Sequence, residues 1–198
     1  MEPGHRVATA AAILGLGVLV GLAGDACHVA SGTTRYEWDG VPVVWRSAIW
    51  FPVLLAAGVL GLALVGHRWR DRLPAVRTRS RRDVIPAAAS VLGLYALTAA
   101  LHGQPVTVST LLVGSVAVAL WGWWDPSPGA ALGGAIAAIA GPLAEIAIVA
   151  AGAASYTPGS DGLAGVAPWL PALYFAAGAV AFRLWDAIGR AAATLAAP

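Results

Sequence analysis

The chain has 198 residues, of which 59% are hydrophobic, 11% charged and 8% aromatic, where soluble domains carry roughly a quarter charged residues. A mean hydropathy of +0.74 excludes both a soluble fold and disorder, which needs low hydrophobicity and high net charge. The net charge of +2 comes with no lysine at all, and the arginines crowd into one short segment, a pattern that calls for a topological explanation before a nucleic-acid one.

At roughly 20 residues per crossing, this length accommodates about six crossings in one membrane domain over residues 1–198. Apolar runs predict six transmembrane helices at Val7 to Gly24, Ser47 to Gly66, Val84 to Leu101, Val106 to Trp124, Ala130 to Ser155 and Trp169 to Ile188. The expected fold is an all-α six-helix bundle. The first run follows His5 and Arg6 and precedes Cys27 as a signal peptide would. Its apolar length exceeds that of a signal core and Gly24-Asp25-Ala26 is a poor cleavage context, so it reads as a helix. A lone cysteine forms no intrachain disulfide and no Cys-based metal site.

Between the first two runs, Ser31 to Arg46 carries Arg35, Tyr36, Glu37, Trp38 and Asp39 and is the one outer segment suited to a lid. The next loop, His67 to Asp83, is densely basic. Counted by alternate loops, Arg6, Arg68, Arg70, Arg72, Arg77, Arg79, Arg81, Arg82, Arg183 and Arg190 fall on one side, and only Arg35 and Arg46 on the other. This bias predicts that both termini and the basic loop are cytoplasmic, where arginines also meet anionic headgroups; nucleic acid is not expected as a partner. Trp45, Trp50 and Trp169 at outer ends, with Trp69, Trp121, Trp123, Trp124 and Trp185 at inner ends, read as interfacial belts.

Small residues recur four apart at Gly17 and Gly21, Ala57 and Gly61, and Gly129 and Gly133, which lets helix backbones approach closely, within one bundle or between copies. Pro86 and Pro171 lie in first turns, whereas Pro142 lies inside the fifth span and predicts a kink beside an internal space. Glu145, one turn further, sits at about 15 Å from the span's outer end at Ser155. An ionised carboxylate near the bilayer centre is expensive, so Glu145 is expected protonated or facing a polar cavity. It and Pro142 are the first candidates for a ligand site, with the hydroxyls of Ser109, Thr110 and Ser115 on the fourth span as further head-group contacts.

Asp25 and His28 close the first span, and His102 with Gln104 the third. The two histidines are candidate ligand contacts at the outer end. Haem ligands usually sit inside a bundle with an outer partner on the ring, which these helix-end positions do not offer, so neither haem nor another metal is expected. No serine has a Gly-x-Ser-x-Gly elbow, and a phosphate loop with its lysine is impossible here. Catalytic machinery and cofactors are therefore not expected. Asp125 opens Asp125-Pro126-Ser127-Pro128-Gly129 and reads locally as a turn-former and helix cap, or as a docking point for a partner.

Several motifs occur in a shared order: Ser47-Ala48-Ile49-Trp50-Phe51-Pro52, then Leu120-Trp121 to Trp124-Asp125 with Ser127, then Tyr156-Thr157 before Trp169-Leu170-Pro171, Phe175-Ala176 and Gly178. From about Ser47 to Gly178 the chain resembles the insulin-induced-gene (Insig) membrane proteins. That resemblance implies six helices with both termini cytoplasmic around a lipid-accessible cavity. Animal members reside in the endoplasmic reticulum, bind oxysterols and hold sterol-sensing-domain partners as regulators, not enzymes. It also implies a partner role for Asp125, which matches the family's aspartate after the tryptophans. For a bacterial homologue in the plasma membrane, a neutral glycerolipid such as diacylglycerol is the more available ligand. The expectation is a non-enzymatic protein holding a neutral lipid, oxysterol or diacylglycerol in type, with a membrane-protein partner and homo-oligomeric assembly. The alternative is a small transporter with Glu145 as a proton-coupled site.

The charge bias makes a topological prediction. In a Cys27→Ala background, Arg77→Cys should react with membrane-impermeant maleimide only after the membrane is opened; labelling in intact cells would reverse the orientation.

Overall fold

Apolar segments in a bilayer satisfy their backbone groups internally only as helices or closed barrels, and this chain takes the helical solution. The computed structural model describes residues 3–38, 41–69, 71–73 and 83–195, with side chains through 189. The helices are α1 (Pro3–Ser31), α2 (Trp50–Trp69), α3 (Val84–Ala100), α4 (Val106–Trp124), α5 (Pro128–Ala150), α6 (Leu170–Ala181) and α7 (Leu184–Leu195). By length and composition α1, α2, α4, α5 and the stretch Leu170–Gly189 are long and apolar enough to cross a membrane, with the 17-residue α3 slightly shorter. Of the loop residues singled out above, Asp39, Arg70, Arg77, Arg79, Arg81 and Arg82 lie outside the described residues, as does the Arg190 side chain.

Four short strands lie between the helices: β1 (Thr34–Tyr36), β2 (Val43–Val44), β3 (Ser47–Ala48) and β4 (Ala154–Tyr156). β1 pairs antiparallel with β4 with Arg35 opposite Ser155, and β2 with β3 with Val44 opposite Ser47. The β1–β4 pair forms a strap that ties the loop after α1 to the loop after α5. Both helices feed it in the same way. After α1, Gly32 at φ 79° has its N–H on Val29 O, and Thr33 N–H reaches His28 O. After α5, Gly152 at φ 70° bonds to Val149 O, and Ala153 N–H to Ile148 O. Each is a Schellman ending, in which a left-handed residue, here glycine, lets the last carbonyls find donors.

Several span ends differ from expectation: α1 runs Pro3–Ser31 and not Val7 to Gly24, and three further differences have local reasons. The second span does not begin at Ser47: that residue belongs to a hairpin whose turn residues Trp45 and Arg46 have φ 48° and 74°, the positive values a two-residue hairpin needs. The fifth ends at Ala150 instead of Ser155, stopped by Gly152. The sixth is two helices, broken at Phe182-Arg183. There the chain turns so that Arg183 reaches Asp125 and, on α7, Asp186 lies 2.7 Å from His67 Nδ1. Polar side chains with fixed partners decide that break. Across Pro142, α5 continues without interruption in its assigned range.

Helix contacts follow the small residues. On α5, Gly133, Gly134 and Gly141 are covered by Phe182, Phe175 and Tyr174, while Gly178 of α6 lies on Ala137 and on the Gly133 carbonyl. Gly17 of α1 rests on the Ala56 backbone of α2. Two apolar clusters fill the rest, one with Leu94, Val113, Leu170 and Leu173 between α3, α4 and α6, the other with Ile13, Ala63, Ala181 and Leu184. Trp169 and Trp185, expected in the interfacial belts, are core residues at 3% and 6% exposure, whereas Trp45 and Trp123 are exposed. Indole rings at helix ends turn inward when a neighbouring helix offers apolar area.

At Gly178 an added Cβ would lie 2.6 Å from the Gly133 carbonyl oxygen, and at Gly93 it would meet nothing within 4 Å. Gly178→Val should therefore destabilise the fold by about 1–3 kcal/mol through overpacking, while Gly93→Ala leaves stability unchanged or slightly raised. Thermal denaturation of the detergent-solubilised variants checks this order.

Candidate functional site

A cavity of about 520 Å³ lies among α1, α2, α3, α5 and α6, within the size range of small-molecule sites. Its walls are Leu, Val, Ala and Gly almost throughout, including Gly17 and Gly21 of α1, Gly58 and Gly61 of α2 and Gly141 of α5. Leu54, Ala57, Gly58 and Gly61 on α2, with Ala140 and Ala144 on α5, line it and are exposed, so the cavity is unsealed along its α2–α5 side.

Three polar side chains line it: Tyr95 of α3, Glu145 of α5 and Tyr174 of α6. Each lies four or five residues from the strap-side end of its helix, so at 1.5 Å per residue they share one level, about 6–8 Å below those ends. Glu145 is buried and accepts two tyrosine protons. Tyr174 donates to Oε1 at 2.7 Å, and Tyr156, on β4, donates to Oε2. A second carboxylate has the same arrangement: Asp25 Oδ2 accepts from Tyr36 of β1 at 2.6 Å. The correspondence extends to spacing, since Asp25, Gly32 and Tyr36 are separated as Glu145, Gly152 and Tyr156 are. Each strand of the strap thus carries a tyrosine back to an acid on the helix that precedes it. Burial first, and the facing carboxylate next, push the Tyr36 and Tyr156 phenols above the ordinary tyrosine value, so both remain proton donors. The strap is further tied by Ser155 Oγ to Glu37 Oε1 at 2.5 Å and by edge-on packing of Tyr36 on Trp50 and Phe51.

A protein of Mycolicibacterium vanbaalenii described as an INSIG protein homolog is 45% identical over 182 residues, which cover 91% of this chain and 87% of that relative. The chain belongs to the Insig family. Two crystal structures of MvINS, a mycobacterial Insig homolog from Mycobacterium vanbaalenii, match it at TM-score 0.85 and 41% identity over 93% of this chain and 96% of theirs; one is a cross-linked trimer. No protein-family model matches the chain. With its apolar helices, this Insig-family protein is a multi-pass membrane protein.

Among the residues singled out from sequence, Glu145 opens on the Insig cavity, but about 8 Å from the end of its helix, because α5 stops at Ala150. Pro142 is buried beside the cavity and does not line it. The α4 hydroxyls do not reach it either. Ser115 is exposed and bonds back to Leu111 O, Ser109 faces Pro105 O, and Thr110 Oγ1 is buried without a hydrogen-bond partner. α4 packs on the far side of α3 and α6, away from the cavity. The histidines stand near the strap, outside the lining: His28 Nε2 is 2.7 Å from Thr98 Oγ1, with its ring against Tyr95 and Trp169, and His102 Nδ1 is 3.5 Å from Thr33 Oγ1.

At the opposite end, Asp125 is not the helix cap. Ser127 caps α5 by accepting from Ala130 N–H at 3.1 Å, while Asp125 Oδ1 accepts from Ser127 N–H. Its other oxygen lies 3.0 Å from Arg183 Nε, and Arg183 also donates to Ser127 Oγ at 3.1 Å. Asp125 thus has a basic partner from the α6–α7 turn, invisible in its own loop. The sequence alone did not mark Arg183, Tyr95 or Tyr174 for these roles, and it marked Tyr36 and Tyr156 only as a lid residue and a motif residue, not as partners of the acids. The acid-to-tyrosine spacing, repeated with its glycine, is the signal that points to two of them.

Glu145→Leu removes the acceptor of two buried phenols and should lower stability by about 1–3 kcal/mol for each donor left unsatisfied. Glu145→Gln keeps an acceptor for one tyrosine and offers a donor to the oxygen of the other, so its melting temperature should stay near wild type. Equal destabilisation by both replacements in a detergent melt would show that charge, not hydrogen bonding, holds the tyrosines.

Proposed function

We propose that this Insig-family protein is a non-enzymatic lipid-binding protein that holds one neutral lipid, of diacylglycerol or sterol type, inside the bundle. The observation that carries the reading is the cavity itself: about 520 Å³, walled by aliphatic and small side chains, with Tyr95, Glu145 and Tyr174 gathered at one level. Apolar cavities do not hold water well, whereas acyl chains or a sterol body fill them favourably. The three polar groups offer a small hydroxylated head what it loses on leaving water. Among the described residues a phosphate meets no cation in that lining, and Arg183 at the other end is already engaged by Asp125. The side between α2 and α5 supplies an entry for a ligand arriving from the bilayer.

In this reading the protein regulates lipid metabolism through a membrane partner and assembles as a homo-oligomer, as its mycobacterial relative does in a cross-linked trimer. The Asp125–Arg183–Ser127 knot fixes the surface at that end for partner contact, with both chain termini on the same cytoplasmic side.

Native mass spectrometry of protein extracted in mild detergent should find a neutral hydroxylated lipid at a near-fixed ratio of one per chain, retained against added phospholipid. Recovery of no lipid, or of anionic phospholipid alone, would refute the lipid assignment.

A further inference from the structure

The protons available to a ligand in this cavity are few. Tyr174 lines it but gives its proton to Glu145 Oε1, and the other carboxylate oxygen takes the proton of Tyr156. Tyr95 is different. It lines the same cavity, is 6% exposed, and among the described residues its phenol is in no side-chain hydrogen bond. A phenol that lines an apolar cavity and gives its proton to no neighbouring side chain has that proton available for a ligand's oxygen. Its ring, moreover, is held rigidly. Gly24 of α1 lies so close that a Cβ there would be 2.6 Å from Tyr95 Cγ, and the His28 ring packs on it at 5.3 Å between centroids. Only the missing side chain at Gly24 makes room for the aromatic ring at this level.

We propose that Tyr95, and not Glu145, is the residue that reads the head of the bound lipid, donating its phenolic proton to a free hydroxyl oxygen. The inference rests on the lipid-binding reading above and narrows it to lipids with an unesterified, unphosphorylated hydroxyl. A hydroxyl both accepts and donates. It takes the Tyr95 proton and has its own proton for the remaining lone pairs of Glu145 or Tyr174 on the same level. An ester oxygen only accepts, so a fully acylated lipid brings no donor for those lone pairs. Glu145 becomes a positioning residue, which orients Tyr174 and anchors the strap through Tyr156.

The test compares dioleoylglycerol with its deoxy analogue, identical except for the missing hydroxyl, each added in detergent to delipidated wild type and Tyr95→Phe, with occupancy read by native mass spectrometry. Wild type should favour dioleoylglycerol by about tenfold, the value of one net hydrogen bond at a buried site. Tyr95→Phe keeps the ring against Gly24 and His28, should bind both lipids as wild type binds the deoxy analogue, and should not discriminate between them. Discrimination that persists in Tyr95→Phe would overturn the assignment to Tyr95. Equal binding of the two lipids by wild type would overturn it without any variant, leaving lipid binding itself intact. If wild type takes up neither, both readings fall.

Discussion

A carboxylate inside an apolar bundle has to be given partners or neutralised, and this requirement organises one end of the molecule. Glu145 and Asp25 each receive a tyrosine hydroxyl from a strand that follows their own helix after a glycine turn. Because the two strands pair with each other, satisfying two acids also staples α1 to α5 across the end of the cavity. Each acid draws one of its hydrogen bonds from the strap, and Glu145 a second from Tyr174 of α6. Conversely, a strap of three residue pairs is too short to persist on hydrogen bonds of its own ladder alone. The antiparallel register, centred on Arg35 and Ser155, gives the two halves a local twofold relation that matches their equal spacing in sequence.

Small residues settle where helices touch and where they do not. Along α5 and α6, glycines receive aromatic side chains and backbone from the facing helix. In lipid, where no hydrophobic drive brings helices together, such close packing is the main source of association. On α2, Gly58 and Gly61 meet nothing within 4 Å, and the space they leave is part of the cavity. The same residue type that closes one interface therefore holds another open, according to whether the opposite surface offers a side chain to fill the gap.

The two ends of the bundle differ in chemistry. At the strap end the polar groups are uncharged donors gathered around acids, suited to hydroxyl and carbonyl oxygens. Around Asp125, an arginine, an aspartate and a capping serine form a closed ionic knot that fixes the break between α6 and α7. The cavity lies nearer the first of these in character, and among the described residues its lining contains no basic side chain.

Composition and apolar run length by themselves determined that this is a multi-helix membrane protein, because helices are the cheapest way to hide backbone in lipid over that length. The order of its tryptophan and proline motifs was enough to reach the Insig family, and the intramembrane position of Glu145 marked it as a residue that needs partners. The sequence did not reveal which partners. The helix ends differ from the expected Ser47 and Ser155 because apolar run length does not mark a hairpin or a glycine stop, which only positive φ angles reveal; the last span agrees in extent with Leu170–Gly189 but is broken at Phe182-Arg183. The fourth-span hydroxyls looked equivalent to cavity groups because hydropathy along one helix carries no information about which neighbour it faces. Tertiary structure alone decided that α4 packs away from the cavity, that Arg183 closes on Asp125 across 58 residues of chain, and that Tyr95 lines the cavity beside Glu145 and Tyr174. Those outcomes depend on side chains far apart in the chain meeting at one depth in the bilayer, a matching that no local pattern encodes.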